Sequence, residues 1–304
     1  MNKENLRIVF MGTPEFAVAS LDTLIKNGYN VVGVVTATDK PAGRGNQLQI
    51  SAVKRYALEH DLPILQPEKL KSSEFQQALL EWHPDIQIVV AFRMLPEVIW
   101  SMPRLGTFNL HGSLLPNYRG AAPINWAVIN GEQETGVTTF FIQQEIDTGN
   151  ILLQKKMPIS LEQTAGDVHD IMMQLGAQLV VDTLEQLLKE NLQPTPQQLT
   201  GTEKVAPKIF KEHCQIDWNK DAETIRNLIR GLSPYPTAFT LFNGKVLKIF
   251  SATVSDKRIL PGVFEIEKDR IFVGTDTQAL ELKELQLEGK KRMLVKDFLL
   301  GYRH

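Results

Sequence analysis

The stretch LRIVFMGTPEFAVASLDTLIKNGYNVVGVVT, residues 6–36, decides the fold. Residues 6–11 form a short apolar strand, ended by Gly12-Thr13-Pro14. From Glu15 to Lys26, Phe16, Ala19, Leu24 and Ile25 recur near helical spacing, and Asn27-Gly28 stops the helix. Residues 29–36 read as a second, nearly continuous apolar strand. Strand, helix and strand within about thirty residues make a right-handed βαβ unit and therefore a parallel sheet. The first turn, Gly12-Thr13-Pro14-Glu15-Phe16-Ala17, lacks the G-x-G-x-x-G of dinucleotide folds. The fold is Rossmann-like, but a pyrophosphate cradle is unsupported, which argues against NAD and FAD.

Outward from this unit the alternation continues. Helices are expected over 51–60, 73–82, 121–129 and 167–192, and strands over 63–66, 86–92, 107–111, 135–142 and 151–159. Gln193-Pro194-Thr195-Pro196-Gln197-Gln198 reads as a proline-containing linker, dividing a first domain over 1–192 from a second over 207–304, with 193–206 between them. Beyond it the pattern changes to a helix over 222–231 and five short strands, with turn signals at Asn243-Gly244 and Pro261-Gly262. The expectation is an α/β chain: a Rossmann-like, mostly parallel N-terminal domain and a smaller C-terminal β-barrel, OB-like in kind.

Residues 107–123, Thr-Phe-Asn-Leu-His-Gly-Ser-Leu-Leu-Pro-Asn-Tyr-Arg-Gly-Ala-Ala-Pro, carry the chemistry. Phe108 and Leu110 alternate with Thr107, Asn109 and His111, so Asn109 and His111 point to one face of a strand end. A carboxamide can hold a developing oxyanion and an imidazole can take a proton from a nucleophile, the requirements of acyl transfer. A strand end whose Asn and His merely satisfy the backbone is the plain alternative. Asp147-Thr148-Gly149-Asn150 likewise suits a tight turn.

The chain has 304 residues, 43% apolar and 22% charged, an ordinary composition for a two-domain soluble protein. No apolar run is long enough for a membrane span, and no signal-peptide layout precedes the first strand. One cysteine, Cys214, excludes an internal disulfide and fits a reducing compartment, so a cytoplasmic location is expected. No metal-ligand cluster is present in the sequence. Net charge is −2, but residues 207–304 hold 17 basic and 13 acidic residues, leaving 16 and 22 for the rest. The C-terminal part is thus mildly basic, a weak pointer to a polyanion. Gly289-Lys290-Lys291-Arg292-Met293 near its end suits phosphate contact and a solvated turn about equally.

The string over 107–123 resembles the active-site segment of the 10-formyltetrahydrofolate-dependent formyltransferase family. The family's Asn-X-His-X-Ser-Leu-Leu-Pro followed by a glycine stands here as Asn109, His111, Ser113, Leu114, Leu115, Pro116 and Gly120. The resemblance implies a catalytic trio of Asn109, His111 and Asp147, since the family places an Asp followed by Thr-Gly close to the histidine, and a folate-binding turn at Ser113, Leu114, Leu115 and Pro116. It implies pterin contacts over residues 92–96, where this loop is one residue shorter than the family's common form. Pro41-Ala42-Gly43-Arg44-Gly45 is similar to a loop in the branch of the family that formylates initiator methionyl-tRNA, with Arg44 as the RNA contact. Asn46-Gln47 stand where that branch often has lysines. Ile216-Asp217-Trp218 and Ile229-Arg230-Gly231-Leu232-Ser233-Pro234-Tyr235-Pro236 resemble the start of the same branch's C-terminal, tRNA-binding domain. The implied reaction moves a formyl group from 10-formyltetrahydrofolate, the donor substrate, to the α-amino group of methionine on initiator tRNA, with no metal, no membrane and a monomeric enzyme. The alternatives are formylation of an amino-sugar nucleotide by the same donor, against which the Pro41–Gly45 loop argues, and a folate- or RNA-binding protein without catalysis.

Overall fold

The strands 8–12 and 86–90 are buried at every position, as strands covered on both faces must be. They lie at the centre of the seven-stranded sheet in a computed structural model that describes residues 2–42 and 47–302. Its order is Ile151–Pro158, Glu134–Phe141, Thr107–His111, Ile86–Val90, Ile8–Gly12, Val31–Val35, Ile64–Leu65. The last five pair in parallel, and Glu134–Phe141 runs antiparallel to Thr107–His111. On one face Val9, Met11, Val35 and Val89 pack with Phe75, Leu79, Leu95 and Ile99. On the other, Gly176 of the helix Ala165–Leu188 lets Leu110 approach to 2.7 Å from where a Cβ would sit. Strand order reverses between Ile8–Gly12 and Ile86–Val90, and ligands of such sheets bind in the crevice outside the carboxyl ends at that reversal.

The helices start where the sequence supplies a cap. Ser51 accepts from the Lys54 amide at 3.0 Å, and Ser72 from the Phe75 amide at 3.3 Å. Asp221 accepts from the Thr224 amide at 2.9 Å to begin Ala222–Gly231.

The chain divides into two compact units. One comprises residues 1–120, 136–157 and 170–204; the other takes 205–304 together with 121–135 and 158–169. The second unit thus gathers two segments from the part of the chain that the sequence assigns to the first domain. Its sheet is antiparallel, ordered Ala238–Phe242, Lys245–Val254, Leu280–Leu287, Ile271–Val273, Phe264–Ile266, with Met293–Leu294 on Leu280–Leu287. Register shifts at Ser251 curl it. Ile225, Ile229, Leu247, Ile249, Leu282 and Phe298 lie in its core. Arg230, 6% exposed, donates to the Asn227 side chain and to the Ser160 and Gln163 carbonyls, which ties the 158–169 segment to the helix Ala222–Gly231.

Both expected layers are therefore present, a mostly parallel α/β sheet and a curled antiparallel sheet. The hairpin Lys40–Ala42 with Gln47–Gln49 and the helix Val295–Leu300 escaped the pattern. The first consists of two three-residue strands, too short to show a period, and the second is barely a turn and a half long.

Candidate active site

Asn109 and His111 stand at the carboxyl end of their strand, Asn109 between Val89 and Phe140 and His111 opposite Thr138. Alternation places Phe108 and Leu110 on the buried opposite face, at 0% and 3% exposure. Asn109 is half-buried, and among the described residues its carboxamide makes no hydrogen bond. His111 is buried at 6% exposure, with Phe140 set edge-on to its ring at 6.3 Å.

Nε2 of His111 donates to the Tyr118 carbonyl at 2.8 Å. A carbonyl only accepts, so this bond fixes the proton on Nε2 and leaves the Nδ1 lone pair free. Nδ1 faces Asp147 Oδ2 at 3.9 Å, beyond hydrogen-bond length but close for a charge. Asp147 itself sits in the left-handed region at φ 55°, which Asp tolerates, and its Oδ2 accepts from the Gly120 amide at 2.9 Å. The structure thus brings Asn109, His111 and Asp147 together, in a geometry unlike a Ser-His-Asp triad, where the carboxylate accepts from the imidazole. The Tyr118 carbonyl orients the ring, and the carboxylate supplies charge beside the nitrogen that can accept a proton.

The Ser113–Pro116 turn is held from beneath. Thr138 Oγ1 donates to the Ser113 carbonyl at 2.6 Å and accepts from the Leu115 amide at 3.2 Å and from Gln154 Nε2 at 2.9 Å. Ser113, fully buried, spends its hydroxyl on the Asn117 carbonyl at 2.6 Å, and Leu115 is 3% exposed. Leu114 and Pro116 are half-buried and so retain open surface. A Cβ on Gly136 would lie 2.2 Å from the Lys155 carbonyl oxygen and 2.6 Å from Leu114, which shows how closely the turn seats on the strand below.

Strand register puts the loop after Val90 beside His111, since Val90 pairs with Leu110. In this loop Arg93 donates to the Pro67 carbonyl at 2.6 Å and the Glu68 carbonyl at 3.0 Å, and Met94 is 74% exposed. Arg44 lies outside the described residues. The hairpin Lys40–Ala42/Gln47–Gln49 that flanks it is anchored at Asp39, whose carboxylate accepts from Lys54 at 2.5 Å and Gln66 at 2.8 Å. The Lys54 and Gln66 bonds hold that carboxyl below its ordinary value.

Several residues of the site carry no sequence signal. Thr138 and Gln154, 16 positions apart, and Arg119 and Gln197, 78 apart, meet there as hydrogen-bond partners that no local period announces. In the basic string near the C-terminus, Arg292 is committed to Glu284 by two bonds of 2.7 and 2.5 Å and lies over the Phe250 ring at 4.1 Å. Lys290 and Lys291 are exposed. Cys214 is buried, its thiol donating to the Phe210 carbonyl at 3.4 Å, and burial, then Glu212, pushes its pKa up, so it is a packing residue. His213 accepts from the Phe210 amide at 3.1 Å, a local cap. Among the described residues no group of three His, Cys, Asp or Glu forms a metal cluster, and no helix is long and apolar enough to cross a membrane.

The formyl transferase family matches residues 6–184, and its C-terminal domain matches residues 208–303. The chain belongs to the formyl transferase family. A methionyl-tRNA formyltransferase of Bacteroides fragilis is 53% identical over 313 residues, covering 99% of this chain and 97% of its own. One from Flavobacterium johnsoniae is 52% identical over 304 residues, covering 98% and 96%. Among solved structures, the N-formyltransferase of Helicobacter canadensis in complex with folinic acid and dTDP-3-aminofucose superposes with a TM-score of 0.67 at 22% identity, covering 93% of this chain and 99% of its own. HypX of Aquifex aeolicus in complex with tetrahydrofolic acid gives 0.67 at 18% identity, and this formyl transferase spans 47% of that longer chain. At such identities the superpositions speak to the fold alone. The matched segments include the whole Thr107–Pro123 string and Asp147.

Proposed function

We propose that the protein transfers the formyl group of 10-formyltetrahydrofolate to the α-amino group of methionine on initiator tRNA. The observation that carries this reading is the half-buried, unpartnered Asn109 carboxamide on the strand face it shares with buried His111. It occurs in a chain about half identical, over nearly full length, to methionyl-tRNA formyltransferases.

In the proposed mechanism the amine nitrogen attacks the formyl carbon, and the carbonyl π pair moves onto oxygen. Asn109 donates its N–H to that oxyanion. The Nδ1 lone pair of His111 takes the proton from the attacking nitrogen, and the Asp147 carboxylate 3.9 Å away balances the imidazolium that forms. The same proton passes to N10 of the folate as the carbon–N10 bond breaks and the carbonyl re-forms. Burial of the imidazole against Phe140 limits water, so that the amine competes for the formyl carbon.

In this reading the folate lies against the turn that follows His111. Leu114 and Pro116 offer open surface for it while Ser113 and Leu115 set the shape of the turn, and the 92–96 loop lies alongside. The proposal further assigns residues 1–192 to catalysis, 193–206 to a linker and 207–304 to tRNA binding, with Arg44 as an RNA contact. It includes a monomeric, cytoplasmic enzyme, in keeping with a lone, buried cysteine. Formylation of an amino-sugar nucleotide is the second reading. Sequence relatives above 50% identity favour the first.

The test is formyl transfer to charged initiator tRNA with an amino-sugar nucleotide competing. Transfer to the tRNA alone is expected, and transfer to the sugar alone would overturn the reading. Asn109→Ala is expected to lower kcat by a hundred- to a thousandfold, about 3 kcal/mol of barrier.

A further inference from the structure

Residues 193–200 run along the surface, and seven of the eight are exposed; Gln197 is the one that is half-buried. Its side chain is fully committed. Nε2 donates to the Asp147 carbonyl at 2.8 Å and to the Gly149 carbonyl at 2.9 Å. Oε1 accepts from Arg119 Nε at 3.0 Å and Nη2 at 2.5 Å. Only one orientation of the amide satisfies two carbonyls and a guanidinium together, so donor and acceptor ends are fixed by their partners. The backbone nearby is aligned by a bridge in which Ile151 and Thr195 exchange bonds of 2.8 and 2.9 Å.

These partners close a ring around the imidazole. His111 is oriented by the Tyr118 carbonyl, the next residue Arg119 reaches Gln197, and Gln197 holds the two carbonyls that bracket Thr148. Asp147 Oδ2 returns to the Gly120 amide. Both sides of the 3.9 Å gap between His111 and Asp147 are therefore tied to one side chain from a segment that otherwise reads as a linker.

We propose that Gln197 is a positioning residue for formyl transfer, clamping the Asp147 loop to Arg119 and so setting where the carboxylate stands relative to His111. The proposal rests on the assignment of His111 and Asp147 to catalysis. A carboxylate displaced by about an ångström acts less on the charge that develops at Nδ1, and misplacements of that size in catalytic groups cost up to about a hundredfold. Because Gln197 touches neither substrate by this account, the loss should fall on kcat.

The experiment compares Gln197→Ala, Gln197→Glu and Gln197→Met with wild type in steady-state formylation, alongside thermal unfolding. Gln197→Met keeps the length without the hydrogen bonds and serves if the alanine variant folds poorly. Gln197→Glu keeps an acceptor for Arg119 but sets a carboxylate against the two loop carbonyls. The expected result is a kcat lowered roughly ten- to a hundredfold in all three, with KM for both substrates within about threefold of wild type. Combining Gln197→Ala with Arg119→Ala should add little, since the two act through one tie. A wild-type kcat in folded Gln197→Met, a loss confined to KM, or recovery in Gln197→Glu overturns the clamp. His111→Ala separates this from the underlying assignment. If that variant keeps its activity, both fall; if it is inactive while Gln197→Met is unimpaired, the clamp alone falls.

Discussion

At the scale of the residue, the most constrained position in the site is a glycine. A Cβ on Gly149 would lie 1.6 Å from the Phe141 carbonyl oxygen and 2.8 Å from its carbon, both rigid backbone atoms. An alanine there must push the loop outward by more than an ångström, and Asp147 is two residues upstream. Gly149→Ala is therefore expected to lower kcat at least about a hundredfold and, since Phe141 ends the sheet strand Glu134–Phe141, to lower the thermal midpoint as well. Steady-state kinetics and a melting curve read both; undiminished turnover would detach the Asp147 loop from catalysis. The sequence showed Gly149 as a turn residue and Asn109 and His111 as neighbours on one face, because period and turn chemistry are local. It could not show that His111 leans on the Tyr118 carbonyl or that Gln197 lies against Asp147 and Gly149, because main-chain acceptors have no residue type and Gln197 is 50 positions from Asp147.

At the scale of the element, the strand Glu134–Phe141 does more than extend the sheet. It runs antiparallel to Thr107–His111, with His111 opposite Thr138, so the threonine hydroxyl comes directly under the turn that follows the histidine. Thr138→Val keeps the shape but takes the hydroxyl from the Ser113 carbonyl and the Leu115 amide, while exposed Gln154 keeps its bond to the Leu115 carbonyl. Buried polar groups left unpaired cost about 1–3 kcal/mol each before relaxation, so a net loss of about 2–3 kcal/mol is expected from urea unfolding. Turnover should fall with it as the Ser113–Pro116 turn loosens. Thr138→Ser, which retains the hydroxyl, should recover most of both, and equal losses in the two variants would shift the cause to packing. Elements of this sheet were legible because strands such as Ile8–Gly12 and Val31–Val35 are apolar runs, Thr107–His111 alternates, and Glu15–Lys26 has its own start and stop signals. The grouping of residues 121–135 and 158–169 with the C-terminal unit was not legible, because it depends on bonds between distant positions, from Asn125 to the Gly231 carbonyl and from Arg230 to the Ser160 and Gln163 carbonyls.

At the scale of the whole molecule, the uneven charge becomes an expectation about salt. Residues 207–304 carry a net surplus of four positive charges, and several of their basic residues are paired locally, as Arg292 with Glu284, Lys257 with Glu265 and Glu267, and Arg226 with Glu223. Exposed lysines such as Lys290 and Lys291 are left to meet phosphate. If two to four such contacts form, the tRNA constant should weaken about ten- to a hundredfold between 50 and 200 mM salt, following a slope of about −0.9 per phosphate. The folate KM should hardly move over that range. Lys290→Glu with Lys291→Glu should flatten the slope and raise KM for tRNA while kcat at saturating tRNA stays at its wild-type value. Arg292→Ala should instead lower the melting point, since its guanidinium is held by Glu284 and the Phe250 ring. A salt slope unchanged by the double substitution would move the tRNA contact away from this turn. A slope near zero in wild type would mean that charge contributes little to holding the tRNA, leaving shape and stacking.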